Sequence, residues 1–81
     1  MKVNKKILEL VQRIQALALE VNNVILYYQQ NVNIFQVYIL ENAEYKYNKS
    51  VYLDGSFSDK ETIVRELKEI IEYLKGIKEE N

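Results

Sequence analysis

The chain has 81 residues, no Cys, no His and a formal net charge of −1. These features exclude a disulfide framework, a thiolate or imidazole metal site and the commonest general base. They also exclude a strong overall field for drawing in nucleic acid or an anionic membrane.

With 48% apolar and 28% charged residues, the composition is that of a folded globular chain rather than a disordered one. The length is that of one domain, residues 1–81. A cysteine-free domain this small must rely on good packing or on association with other copies. No apolar run is long enough to cross a membrane. The segment Met1–Lys6 is basic, but Glu9, Gln12, Arg13 and Gln15 break up the apolar residues after it, so no signal peptide is expected. The lack of Cys suits a reducing cytoplasm.

The first element reads as an amphipathic helix, with Ile7, Leu10, Val11, Ile14, Leu17, Ala18 and Val21 on one face. Asn4 is the expected N-cap, Val3 and Leu8 the expected staple across it, and Asn22-Asn23 the expected stop. A rival pattern continues through Val24 and Tyr28 as a heptad. It predicts a long coiled-coil helix followed by a β-hairpin and a helix. The density of Val, Ile and Tyr in residues 24–28 favours a strand instead.

Three strands are then expected, over 24–30, 34–41 and 45–53. Asn31-Val32-Asn33 and Glu41-Asn42-Ala43-Glu44 are the turns, short enough to demand an antiparallel meander. Asp54-Gly55 should end the third strand with positive φ. Ser58-Asp59-Lys60-Glu61 reads as a capping box opening a helix striped with Ile63, Val64, Leu67, Ile70, Ile71 and Leu74. Gly76 is its expected C-cap, followed by a frayed polar tail, Lys78–Asn81.

The expected fold is therefore α+β, in the order α-β-β-β-α, with both helices on one face of a three-stranded sheet. Phe35, Val37, Ile39, Val51 and Leu53 are placed against the helices. Alternation then turns Ile25, Tyr27, Ile34, Gln36, Tyr38, Leu40 and Tyr52 the other way, with Lys46, Asn48 and Ser50 as a polar margin. A solvated sheet face should be mostly polar, and this one is rich in Tyr and aliphatics. Such a patch points to an interface.

Catalytic chemistry is reduced to carboxylates. Glu41 with Glu44 and Asp54 with Asp59 are the nearest pairs, but both lie at turns, where solvated acids are ordinary. Two isolated glycines make no phosphate cradle. The expectation is a protein without catalytic residues, cofactor or metal, which acts by binding: to itself as a homodimer or larger assembly, or to another protein. One alternative is single-stranded nucleic acid stacked on the sheet, with Lys46 and Lys49 flanking Tyr45 and Tyr47. Glu61, Glu66, Glu69, Glu72, Glu79 and Glu80 of the last helix oppose it by repelling phosphate. A further alternative is a small molecule held between subunits.

The order of parts is an amphipathic helix, then the segments 24–28 (VILYY), 35–39 (FQVYI) and 50–54 (SVYLD), then an acidic capped helix. It resembles small orphan proteins of phages and prophages of low-GC Gram-positive bacteria, and the abundance of Lys, Asn, Ile and Tyr suits an AT-rich genome. The resemblance implies an accessory protein of the host-cell cytoplasm that binds a host or defence protein. It carries no functional residues across.

Overall fold

The computed structural model describes residues 4–55 and 58–80. Helix α1 (Lys5–Ala18) is followed by strands β1 (Val24–Gln29), β2 (Ile34–Glu41) and β3 (Glu44–Tyr52), then by helix α2 (Lys60–Glu80). The strands form one antiparallel meander in the order β1-β2-β3. The fold is α+β, with the α-β-β-β-α order expected, and residues 24–29 are strand rather than a continuation of α1.

At the start of α1, Asn4 Oδ1 accepts from the Lys6 backbone N–H at 2.8 Å, satisfying one of the free donors of the first turn. The expected staple partner Val3 lies outside the described residues. Ile7, Leu10, Val11, Ile14 and Leu17 are buried along one stripe. The helix stops after Ala18, earlier than Asn22-Asn23. The Glu20 and Val21 N–H groups bond back three residues, to the Leu17 and Ala18 carbonyls, which tightens the chain out of the α-helix. That turn returns Val21 to the interior, where it is buried. Asn23 then takes the left-handed conformation, φ 65°, and feeds β1.

Each turn between strands contains a left-handed residue. Asn33 (φ 55°) closes the first turn. Asn42 (φ 55°) and Ala43 (φ 66°) are both left-handed, the I′ geometry that matches the twist of a two-residue hairpin. Ala is a costly choice there, because its Cβ crowds the carbonyl. Gly55, expected at positive φ, is not left-handed. The chain leaves β3 through Leu53, buried against the helices, and this bend needs no special conformation at Gly55.

The Asn33 side chain is the one described buried polar group, and Tyr28 Oη donates to its Oδ1. Its carbonyl accepts from the Leu53 N–H at 2.9 Å. The first turn is thereby tied to the end of β3, and the buried amide is satisfied as burial requires.

Helix α2 begins one residue later than its sequence suggests. Asp59, not Ser58, is the cap: its Oδ1 accepts from the Thr62 N–H at 2.8 Å, and its carbonyl accepts from Ile63 at 3.0 Å. Asp caps as well as Ser and also places a negative charge at the positive end of the helix. The hydrogen bonds from Thr62 hold its carboxyl below the usual aspartate range. Nor does Gly76 end the helix, which continues through it to Glu80. Continuation keeps Ile77 packed on the core and lets Lys78 pair with Glu20 beyond α1, offsetting the roughly 1 kcal/mol that Gly costs inside a helix. Asn81 of the expected frayed tail lies outside the described residues.

Both helices pack on one sheet face, side by side. Phe35, Val37, Ile39, Val51 and Leu53 are all buried, as expected, against Ile14 of α1 and Ile63, Leu67, Ile70, Ile71 and Leu74 of α2. Each such side chain contributes roughly 1.5–3 kcal/mol by leaving water.

Candidate interaction surface

The face of the sheet turned away from the helices carries every expected site residue. Register sets Ile25 opposite Tyr38 and Tyr27 opposite Gln36 between β1 and β2. Between β2 and β3 it sets Ile34 opposite Tyr52, Gln36 opposite Ser50 and Tyr38 opposite Asn48. Gln36 Nε2 donates to Ser50 Oγ at 3.2 Å, a cross-strand bond near the middle of the face. Leu40 lies at the hairpin end of the same face.

One residue is displaced from its expected place. Tyr47 opposes Ile39 and Tyr45 opposes Leu40, so Lys46 is an extra, unpaired residue in β3. Such a bulge reverses the alternation on its far side. Tyr45 therefore joins the outer face where Lys46 was expected. Its ring meets Tyr38 at 5.2 Å between centroids, tilted by 47°. Such tilted contacts suit the quadrupoles of aromatic rings. Lys46 instead reaches Glu41 at 3.4 Å, across the hairpin. In a bare alternation pattern only the crowding of Tyr45, Lys46 and Tyr47 after a two-residue turn hints at this. Gln29, beside Ile34, is the other outer-face residue missing from the expected set.

The result is a continuous surface bearing Tyr27, Tyr38, Tyr45 and Tyr52 together with Ile25, Ile34 and Leu40. Ile25 is 40% exposed, Tyr27 52% and Tyr45 64%. Ile25, Tyr27, Gln29, Gln36, Tyr38 and Tyr45 line a shallow groove along it. Charge is confined to its edges. Lys49, offered by the sequence as a phosphate contact, projects to the helix side and reaches Glu69 of α2 at 3.8 Å.

The opposite face of β3 holds another aromatic pair. Tyr47 stacks on Tyr73 of α2 at 4.1 Å with planes 15° apart. Burial, then the neighbouring Tyr73 and Glu69, push the Tyr47 phenol above its ordinary range. This pair serves packing, and it accounts for one of the two tyrosines that the nucleic-acid reading used.

An apolar cleft of about 220 Å³ lies between α1 and the sheet, lined by Leu8, Val11, Gln15, Tyr28, Phe35 and Leu53. It is smaller than the roughly 300–1,000 Å³ typical of small-molecule sites. The carboxylates considered for catalysis are dispersed in role: Glu41 pairs with Lys46, and Asp59 caps α2. Among the described residues no three Asp or Glu side chains gather as a metal site would require, and no helix is long and apolar enough to cross a membrane.

No family model matches the chain, and no curated protein or solved structure matches it.

Proposed function

We propose that this chain is a non-catalytic protein-interaction module whose docking surface is the outer face of its sheet. The observation that carries the reading is the exposure of Ile25, Tyr27 and Tyr45 on one unbroken, uncharged surface, where a solvated sheet should be polar. Tyr suits such a surface: two rotors fix a large apolar area, and the hydroxyl keeps it wettable until a partner arrives. A protein partner fits better than nucleic acid, because the two lysines nearest the face, Lys46 and Lys49, are matched by Glu41 and Glu69. If the chain is a phage accessory protein, as the resemblance implies, the partner is a protein of the host cytoplasm.

The test uses Tyr38→Ser, in the middle of the face. Association is followed by native mass spectrometry of the protein alone and by pull-down from host lysate. The variant should keep the wild-type thermal transition and lose at least about tenfold in affinity for a partner that docks on this face, as hot-spot tyrosines do. Unchanged self-association together with unchanged capture from lysate by a folded variant removes the reading.

A further inference from the structure

The two edges of the sheet are built differently. Edge strand β3 carries Glu44, Lys46 and Lys49 and is bent by the Lys46 bulge. These are the devices that keep an edge from pairing with another chain. Edge strand β1, VILYYQ, has none of them. From Val21 to Leu40 the chain holds no charged residue and no Pro.

The backbone of β1 is also poised to pair. The Leu40 N–H donates to the Asn23 carbonyl at 3.1 Å, which makes Asn23 and Leu40 a bonded pair of the ladder. Bonded and non-bonded pairs alternate along antiparallel strands. Ile25, Tyr27 and Gln29 therefore turn their backbone groups toward β2, and Val24, Leu26 and Tyr28 turn theirs to the open edge. Among the described residues, none of these three makes a backbone bond outside the sheet.

We propose that a second copy of this chain pairs with β1, antiparallel about a two-fold axis through Leu26, to form a continuous six-stranded sheet. The register rests on two requirements. Opposed residues must share a face, and the outward groups must meet each other. Centring on Leu26 meets both: Leu26 opposes Leu26 of the second copy, Val24 opposes its Tyr28, and all three outward residues are satisfied on each side. On the outer face Ile25 then opposes Tyr27 of the second copy, twice, covering two of the exposed apolar residues.

Helix α1 supports the same occupant. Leu8 and Gln15 line the cleft beside Tyr28 of β1. Helical spacing adds Gln12 and Leu19 to this flank. Between Leu8 and Leu19 it carries no charge, although Leu8 is 46% and Leu19 90% exposed. Pairing of β1 brings this flank toward its copy across the axis.

Area points the same way. Strands ~4.8 Å apart rising ~3.4 Å per residue give a three-stranded face of roughly 14 by 24 Å, under half the ~800 Å² that a standard interface buries per partner. A six-stranded face approaches that figure. The edge argument does not depend on the docking role of the face; pairing would give that role its area.

The test is amide hydrogen exchange read residue by residue by NMR on the intact chain, from low micromolar to millimolar protein. The expected result is exchange slowed at least about tenfold at Val24, Leu26 and Tyr28 as concentration rises, as hydrogen-bonded amides are protected. Tyr38→Ser, on β2, should leave that protection intact. Rapid exchange of these three amides at every concentration overturns the proposal, in a monomer or in a dimer. A dimer with those amides unprotected that Tyr38→Ser dissolves assigns self-contact to the face, so the docking reading survives while edge pairing fails. Register is checked by mixing an Ile25→Cys chain with a Tyr27→Cys chain. Opposed non-bonded positions lie about 4.5 Å apart at Cα, within disulfide range, so the mixture should cross-link rapidly. Either variant alone sets its Cys about 7–8 Å from its copy and should not. Equal cross-linking in all three samples overturns the register.

Discussion

Along β2, Phe35, Val37 and Ile39 are buried beneath the helices, while Ile34, Gln36, Tyr38 and Leu40, each one residue away, are only partly covered. The two sets differ little in apolar character. They differ in what covers them. Beneath the helices the side chains interlock with two amphipathic stripes, and any loss of volume leaves a cavity. On the outer face they touch their strand neighbours and then water. The same residue types hold the fold together on one side and are left partly exposed on the other.

The largest expected effect tests that contrast directly. Phe35→Ala should cost about 3–5 kcal/mol, a large part of the stability of a domain this small, whereas Gln36→Ala beside it should cost under about 1 kcal/mol. Urea denaturation of the two variants compares them, and similar losses would mean that the outer face is also part of the core.

The hairpin between β2 and β3 sharpens the comparison next. Ala43→Gly relieves the left-handed Ala and should stabilise by about 0.5–1 kcal/mol, without altering the register that places Tyr45 on the outer face. A thermal melt reads the gain, and a change in the Tyr38–Tyr45 contact by NMR would show that the bulge depends on this turn.

Gly76→Ala is a smaller gain in the helical layer. A Cβ at Gly76 meets no atom within 4 Å, and the residue is exposed inside α2. The expected stabilisation is at most about 1 kcal/mol, less if the end of the helix frays. Destabilisation would mean that Gly76 ends the helix in solution.

The smallest effects are those of pH. Asp59 has its folded pKa depressed by Thr62, so its cap contributes fully above the unfolded aspartate pKa. That contribution fades as pH falls through the folded value. Asp59→Asn should therefore flatten the acid limb of a plot of Tm against pH. Tyr47 has its folded pKa raised, so its contribution is complete below the unfolded tyrosine pKa and is lost as pH rises through the folded value. Tyr47→Phe should flatten the alkaline limb. A limb that is unchanged would remove the corresponding group from the balance.

Much of the fold was legible because its periodicities are strong. The stripe of α1, the stripe of α2 and the alternation of β2 each name their buried residues without reference to one another. The α-β-β-β-α order, the inner five of the sheet and the outer seven all come from these local patterns, because a side chain's direction in a helix or strand is set by backbone geometry within a few residues.

The departures arise where several local solutions have similar energy. Ser58 and Asp59 cap about equally well, and residue type alone does not choose between them. Gly76 reads as a helix end, until Ile77 and Lys78 find partners that make continuation favourable. Lys46 sits on a strand whose alternation is regular in sequence; only pairing with β2 introduces the bulge that turns Tyr45 outward. Asn33 is an ordinary turn residue until Tyr28 and Leu53 enclose it. The spacing of apolar residues along the chain is enough to set the elements and the face each one buries. The bulge, the edge and the end of α2 are chosen only on folding, because they depend on pairing between segments that are distant in the chain.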